Sequence, residues 1–351
     1  MMMLSRVASQ FKSKIMGFER NEISAKANGG TEIARNLLEQ RLDPELLKNF
    51  QIILSRYRQL DMEKIRIMNV HDLPEDPESI KFKDKKFQDN FHKFVFVSDW
   101  QYQRYQLMHG IPYNEKSVVL ETGIETAPSS CFDLKKQENI IRLVYTSTPQ
   151  RGLEILVPVF RSLAQKYPNI HLDVFSSFKI YGWDEADKPY EKLFEEIKNH
   201  PQMTYHGFVP NQTVKDHLLK SHIFAYPSIW IETSCRAMIE AMSAGLVCVH
   251  PNFGALPETS GGLNVMYQGD WDNKQRHAEI FYNYLEAAIK LVINNQHENI
   301  IRFNKLFVDN RYNMDRITHL WEQTLTRLLN QYPTTESRQA PKEMFIYRTT
   351  P

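Results

Sequence analysis

Two glutamates, Glu232 and Glu240, carry the strongest chemical signal in this 351-residue chain. They lie eight positions apart within the run Ala225–Val249, at most ~12 Å along a helix axis. Glu232 falls in a loop after a strand, Thr233-Ser234-Cys235 open a helix, and Gly245 ends it before a buried strand. A helix start built of small residues leaves backbone N–H groups free and turns a positive dipole end outward, which suits a phosphate. A carboxylate on either side of such a start can hold two polyols flanking a pyrophosphate, and a nucleoside diphosphate sugar has that shape. Two glutamates alone are better explained as a helix cap and a solvated helix residue. Ala237, Met238, Ala241 and Met242 weigh against that, because they surround Glu240 with small or apolar groups, unexpected on a freely solvated face.

Three more strand-to-helix loops offer chemistry. Tyr145-Thr146-Ser147-Thr148-Pro149-Gln150-Arg151-Gly152 brings hydroxyls, a cation and a helix start together, the parts of a diphosphate clamp. Asn28-Gly29-Gly30-Thr31-Glu32 opens the helix at Ile33–Leu38, and its glycines let backbone approach a ligand closely. It is not the dinucleotide fingerprint G-x-G-x-x-G, and no clear strand precedes it. Val70-His71-Asp72-Leu73 ends a strand, where a lone histidine is by itself more often structural.

With these loops in view, the chain resembles the retaining glycosyltransferases of family 4, in the GT-B fold class. The resemblance rests on Glu232-x7-Glu240, the small-residue helix end Ala241-Met242-Ser243-Ala244-Gly245 with the strand after it, and Phe253-Gly254-Ala255-Leu256-Pro257-Glu258. It covers roughly residues 26 to 330 and is most specific over 140–260. It implies that Glu232 contacts donor-sugar hydroxyls, Glu240 the ribose, and the amides near Ser234 and Cys235 the pyrophosphate, with Thr233 beside them. It further implies that Gly29 and Gly30 lie near donor phosphate and acceptor, His71 close to the transferred sugar, and the Gly207 turn beside the donor base. Family members carry a Lys where this chain has Arg151 and an Arg where it has Thr146 or Ser147, so the loop holds one cation where two are usual. Fixed donors at the leaving diphosphate, Arg151 and the two helix starts, would stabilise the charge that develops there. The resemblance names no protein nucleophile or general base.

The elements that must position these residues are legible as apolar runs of four to seven residues. Strands are expected at Phe50–Leu54, Ile65–Val70, Phe94–Ser98 and Ser117–Glu121. They resume at Ile140–Thr146, His171–Ser176, Met203–His206, His222–Tyr226 and Leu246–His250. Between them lie helical patterns, clearest at Leu153, Leu156, Val157, Phe160, Leu163 and Ala164. Alternation of that kind marks parallel sheets covered on both faces. The expected fold is α/β: GT-B, two Rossmann-like domains facing across a cleft, with a reduced N-terminal sheet. Ligands of such sheets bind outside the carboxyl ends of the strands. Residues 1–128 form the acceptor-side domain, 129–310 the donor domain, and 311–351 a terminal helix and loose tail, with the hinge in polar Ala127–Asn139. The terminal pattern Ile317, Leu320, Trp321, Leu325 and Leu328 needs a partner surface that either domain could supply.

Composition narrows the partners. Lys and Arg number 43 against 42 Asp and Glu, so no global field draws the chain to nucleic acid or anionic lipid. The three cysteines have no metal-type spacing and form no disulfide framework, which favours a reducing compartment. No apolar run reaches the roughly 20 residues of a membrane span, and Met1–Lys14 reads as a frayed terminus without a secretory core. Asp270-Trp271-Asp272 has the spacing of a metal-binding Asp-x-Asp, a pattern common by chance, and reads as a solvated loop. The expectation is therefore a cytoplasmic or membrane-peripheral hexosyltransferase with no metal or other cofactor, taking a nucleoside diphosphate sugar and a glycan, lipid-linked or protein acceptor. The rival readings are a nucleotide-sugar epimerase or hydrolase, a non-catalytic sugar-nucleotide-binding module and, weakest, a nicotinamide-dependent dehydrogenase.

Overall fold

The computed structural model describes residues 17–18, 27–56, 59–134 and 139–339. The Met1–Lys14 segment and the tail after Gln339 lie outside them. The first lobe runs β1 (Gly17–Phe18), α1 (Gly30–Arg41), α2 (Pro44–Leu47), β2 (Phe50–Leu54), β3 (Ile65–Val70), α3 (Lys85–Gln88), β4 (Lys93–Phe96), α4 (Asp99–His109) and β5 (Ser117–Val119). Its five strands form one parallel sheet in chain order. The first strand escapes sequence reading because two residues carry no period, yet Gly17 and Phe18 pair with Gln51 and Ile52. β2 and β3 are buried along their whole length, and both are mainly apolar without strict alternation, with Gln51, Arg66 and Asn69 buried among the apolar residues.

The second lobe comprises α5 (Cys131–Leu134), β6 (Ile141–Thr146), α6 (Leu153–Lys166), β7 (Ile170–Phe175), α7 (Glu191–Asn199), β8 (Met203–Tyr205), α8 (Asn211–Leu218) and β9 (Ile223–Ala225). It continues through α9 (Arg236–Ser243), β10 (Val247–Pro251), α10 (Leu256–Ser260), β11 (Val265–Tyr267), α11 (Lys274–Ile293) and α12 (Glu298–Arg311). Its parallel sheet has the order β11-β10-β9-β6-β7-β8, with the reversal of order placed between β6 and β9. Ligands of open parallel sheets bind at such a switch point.

The lobes part earlier than polar composition suggests. Leu120 belongs to the first core and Ile124 to the second, ahead of the expected Ala127–Asn139 hinge. The chain recrosses at Tyr312–Met314, and the two crossings bond to each other: Ile124 N–H donates to Tyr312 O (2.8 Å) and Met314 N–H to Ile124 O (3.0 Å). Ile124, Tyr312 and Met314 are buried at this crossing, which composition does not flag. α13 (Met314–Gln331) then returns to the first lobe, where Ile317, Trp321, Leu325 and Leu328 join Phe18, Leu38 and Ile52 in one core. The stretch expected to be loose is helical at α14 (Thr335–Gln339). Buried Arg338 docks it on the first lobe through Glu63 O (3.2 Å) and Asn49 Oδ1 (3.3 Å).

Candidate active site

Loops of both lobes line a cleft of ≈ 820 Å³. Every residue singled out from the sequence as a site residue lines it: Gly29, Gly30, His71, Ser147, Arg151, Gly207, Glu232, Thr233, Ser234, Cys235 and Glu240.

Glu232 is held by three elements. Tyr226, at the end of β9, donates its hydroxyl to Glu232 Oε1 at 2.5 Å, and Arg151 donates from Nη1 to the same oxygen at 2.5 Å. The Glu232 carbonyl accepts Ala255 N–H (2.8 Å), so the Phe253–Ala255 loop fixes its backbone. The loops of Arg151 and Glu232 meet through Gly152: a Cβ there would lie 2.2 Å from Pro227 O, and its φ of +122° is closed to most side chains. Burial and then Glu232 push the Tyr226 phenol well up, so it stays a donor. Burial opposes the charge on Arg151, but Glu232 together with Tyr226 and Tyr181 outweighs it and holds the guanidinium firmly protonated. The Arg151 guanidinium also lies over the Trp230 ring, 5.6 Å from its centroid.

α9 opens at Arg236 with no side-chain cap. Its first N–H groups therefore remain available to a ligand. Thr233 is committed across the cleft: its hydroxyl donates to His71 O (2.9 Å), and Ser98 Oγ donates to Thr233 O (2.6 Å). Cys235 is buried, and burial followed by Glu232 pushes its thiol up, away from nucleophilic use. Glu240 pairs with Arg236 Nη2 at 3.0 Å.

The first lobe supplies His71 and the start of α1. Ser55 Oγ accepts His71 N–H (2.8 Å) and Asp72 N–H (3.2 Å), which fixes the loop after β3. His71 Nδ1 lies 3.4 Å from Thr31 Oγ1, and buried Nε2 has no hydrogen-bond partner among the described residues. Burial lowers the imidazole to about 4, so it is neutral near neutral pH. α1 also begins without a side-chain cap. The close approach at Gly29 is to the other lobe: a Cβ would lie 2.6 Å from Tyr181 Cε1, and Asn28 N–H donates to Ile180 O (2.7 Å). Ser147 Oγ is 3.5 Å from the Tyr226 hydroxyl, and Gly207 has a φ of +64° beside exposed Phe208.

Sequence reasoning missed several groups. Tyr226 read only as the end of a strand, and Tyr181 stands in none of the motifs. Arg236 stands inside the glutamate motif, and a cation on the first residue of a helix works against the dipole, which is a usable signal. Glu258 acts between the lobes, accepting Asp99 N–H (3.0 Å) and Trp100 N–H (2.8 Å) at the start of α4 while pairing with Arg311 (3.1 Å). Asp173, His206 and His217 also converge, with candidate ligand atoms within 4.8 Å of one another. Zinc bonds of 2.0–2.1 Å need edges of only about 3.3 Å. Asp173 is already served by His206 (2.8 Å) and Arg142 (3.7 Å), which makes this a charge-satisfied cluster behind the Gly207 turn. Asp270 Oδ1 accepts Asp272 N–H (3.2 Å) and Asn273 N–H (3.1 Å), so it caps its own turn.

Residues 131–264 match the family of glycosyl transferases group 1. The chain is 26% identical over 167 residues to a phosphatidylinositol N-acetylglucosaminyltransferase subunit of Arabidopsis thaliana, a match covering 47% of this chain and 36% of that protein. It is 30% identical over 119 residues to the Homo sapiens protein of the same name, covering 34% of this chain and 22% of the relative. The matched stretches thus span 36% and 22% of the two relatives, about a third of the first and less than a quarter of the second. Among solved structures, a glycosyltransferase from Rickettsia africae superposes with a TM-score of 0.62 at 15% identity, covering 89% of this chain and 84% of that one. Anabaena HepE in complex with UDP gives 0.60 at 16%, covering 85% and 82%. At such identities the likeness establishes architecture: the chain has the GT-B fold of glycosyltransferases, and its residues 131–264 carry the group 1 glycosyl transferase signature.

Proposed function

We propose that this chain transfers a sugar from a nucleoside diphosphate sugar to a hydroxyl acceptor with retention of anomeric configuration, in the manner of family 4. The observation that carries the reading is the convergence on one cleft of Glu232, Arg151, Glu240 and two uncapped helix starts, one from each lobe. Uncapped N–H groups and a fixed guanidinium stabilise the negative charge that grows on the departing diphosphate. Glu232 holds Arg151 through Oε1, and its Oε2, with no hydrogen bond among the described residues, is free for a sugar hydroxyl. Glu240 serves the ribose, Ser147 the diphosphate, and Gly207 the base. Neutral His71 faces the transferred sugar as a hydrogen-bonding group. The closed lobes exclude the water that would hydrolyse the donor.

The HepE structure with UDP and the two N-acetylglucosaminyltransferase relatives make UDP-N-acetylglucosamine the first donor to test. The cleft supplies its charges from protein groups, and the reading is of transfer without a metal. No helix among the described residues is long and apolar enough to cross a membrane, and the three buried cysteines are not joined in disulfides. Both fit an enzyme at the cytoplasmic side, peripheral where its acceptor is lipid-linked. The test is a panel of UDP-, GDP- and ADP-sugars with acceptor pools, with and without EDTA, reading nucleoside diphosphate release and the anomeric configuration of the product. Acceptor-dependent release that survives EDTA and gives a retained product supports the proposal. Acceptor-independent epimerisation, or tight binding without turnover, contradicts it.

A further inference from the structure

We infer that Arg236 is a phosphate-binding residue, the second cation of the diphosphate clamp, delivered by α9 and not by the loop after β6. The inference rests on the nucleoside diphosphate sugar reading above. The loop after β6 offers Arg151 alone, and that guanidinium is engaged with Glu232 at 2.5 Å. One cation, itself shared with a carboxylate, leaves much of the charge on a leaving group with two or more negative charges uncompensated.

Arg236 stands where the missing charge is needed. It is the first residue of α9, is 8% exposed, and lines the same cleft as Arg151. Its stem lies against the start of α1, with Cβ and Cδ both 3.6 Å from where a Gly30 Cβ would stand. Nη1 donates to Gly123 O at 2.5 Å, which anchors one end of the guanidinium, and Nη2 forms an ion pair with Glu240 Oε1 at 3.0 Å without hydrogen-bond geometry. Nε and Nη2 are buried with no hydrogen-bond partner among the described residues. An unmade hydrogen bond on a buried charged group is costly.

An ion pair with Glu240 accounts for one edge of the fork only. It leaves Nε unused, and it leaves a positive charge on a helix start whose dipole opposes it. A diphosphate seated between the uncapped starts of α1 and α9 resolves both at once, because it accepts from Nε and attracts the dipoles and the guanidinium alike. Glu240 is then oriented by the residue that grips the phosphate, which couples ribose and diphosphate recognition.

The experiment titrates the full chain and its Arg236→Met and Arg236→Lys variants with UDP, inorganic pyrophosphate and uridine, by ligand-observed NMR. Charge-assisted hydrogen bonds predict that Arg236→Met weakens UDP and pyrophosphate by about 10- to 100-fold and leaves uridine unchanged. Arg236→Lys, which keeps the charge without the fork, falls between. Equal weakening of UDP and uridine, or undiminished UDP binding, overturns the inference and leaves the donor reading standing. If Arg236→Met does not fold, Arg236→Lys decides: weaker UDP with unchanged uridine supports the role, and unchanged UDP overturns it. A wild-type chain that binds neither UDP nor pyrophosphate overturns the donor reading itself.

Discussion

Arg151 and Glu232, 81 positions apart in the chain, meet on one carboxylate oxygen at 2.5 Å, and Tyr226 reaches the same oxygen. The cation proposed for the leaving group and the acid proposed for the sugar are therefore one unit. Each loop after its strand is placed correctly only when the other is.

Arg151→Met removes the cation and strands a buried carboxylate. Loss of one fixed donor to a developing oxyanion costs about 2–4 kcal/mol of transition-state stabilisation, roughly 10²–10³ in kcat. Steady-state turnover on the active sugar nucleotide checks this, and unchanged kcat removes Arg151 from the chemistry.

Glu232→Gln keeps an acceptor for Arg151 and Tyr226 but loses the charge. Turnover should collapse while nucleoside diphosphate affinity stays within about threefold, less than 1 kcal/mol. Loss of nucleotide binding instead would move Glu232 from the sugar to the nucleotide.

Glu258 satisfies the first two N–H groups of α4 from the opposite lobe, with Ser98 Oγ accepting from Gln101 N–H. Glu258→Ala should weaken closure by about 1–2 kcal/mol, the scale of a lost charged cap. Small-angle scattering should show a larger radius of gyration and kinetics a higher donor KM. An unchanged radius with unchanged KM contradicts a clamp.

Gly29→Ala places a methyl 2.6 Å from Tyr181 and 2.8 Å from Glu32 Oε2, whereas at Gly30 the nearest atoms, on Arg236, are 3.6 Å away. Gly29→Ala should lower kcat/KM by about tenfold through imperfect closure, and Gly30→Ala by much less. Equal effects would show that the approach of Tyr181 does not matter.

Burial, with Arg66 and Lys116 nearby, lowers His92 to about 3, and burial lowers His250 to about 4. The unfolded chain binds their protons near 6.5 and the folded chain does not. Stability is thus complete above about pH 6.5 and falls as pH drops towards 4, by about 1.4 kcal/mol per pH unit for each histidine. His92 Nδ1 accepts Arg66 N–H at 2.9 Å, a bond that glutamine can replace. Urea unfolding of His92→Gln between pH 6.5 and 4 should show a slope shallower by one proton, and an identical slope would contradict the assignment.

What the sequence made legible follows from the range of the forces involved. β2 and β3 are found at their expected bounds, Phe50–Leu54 and Ile65–Val70, because full burial leaves mainly apolar runs even with Gln51, Arg66 and Asn69 inside them. The Glu232 and Arg151 loops were visible because helix starts and small residues are local chemistry. β1, the crossings at Ile124 and Tyr312, the docking of Trp321 on the first lobe and the Glu258 clamp depend on partners far along the chain. No local pattern specifies which surface closes over them. Arg236 lies between these cases: its position against the dipole was readable, but its contact with Gly123 and approach to Gly30 needed the folded chain.

Backbone hydrogen exchange with and without UDP tests most directly whether the cleft seats a diphosphate. Slower exchange confined to residues 29–33, 147–153 and 233–238 is the result expected when the phosphates occupy the two helix starts beside Arg151. Exchange unaltered in those segments at saturating UDP, or protection found only elsewhere on the surface, would contradict it.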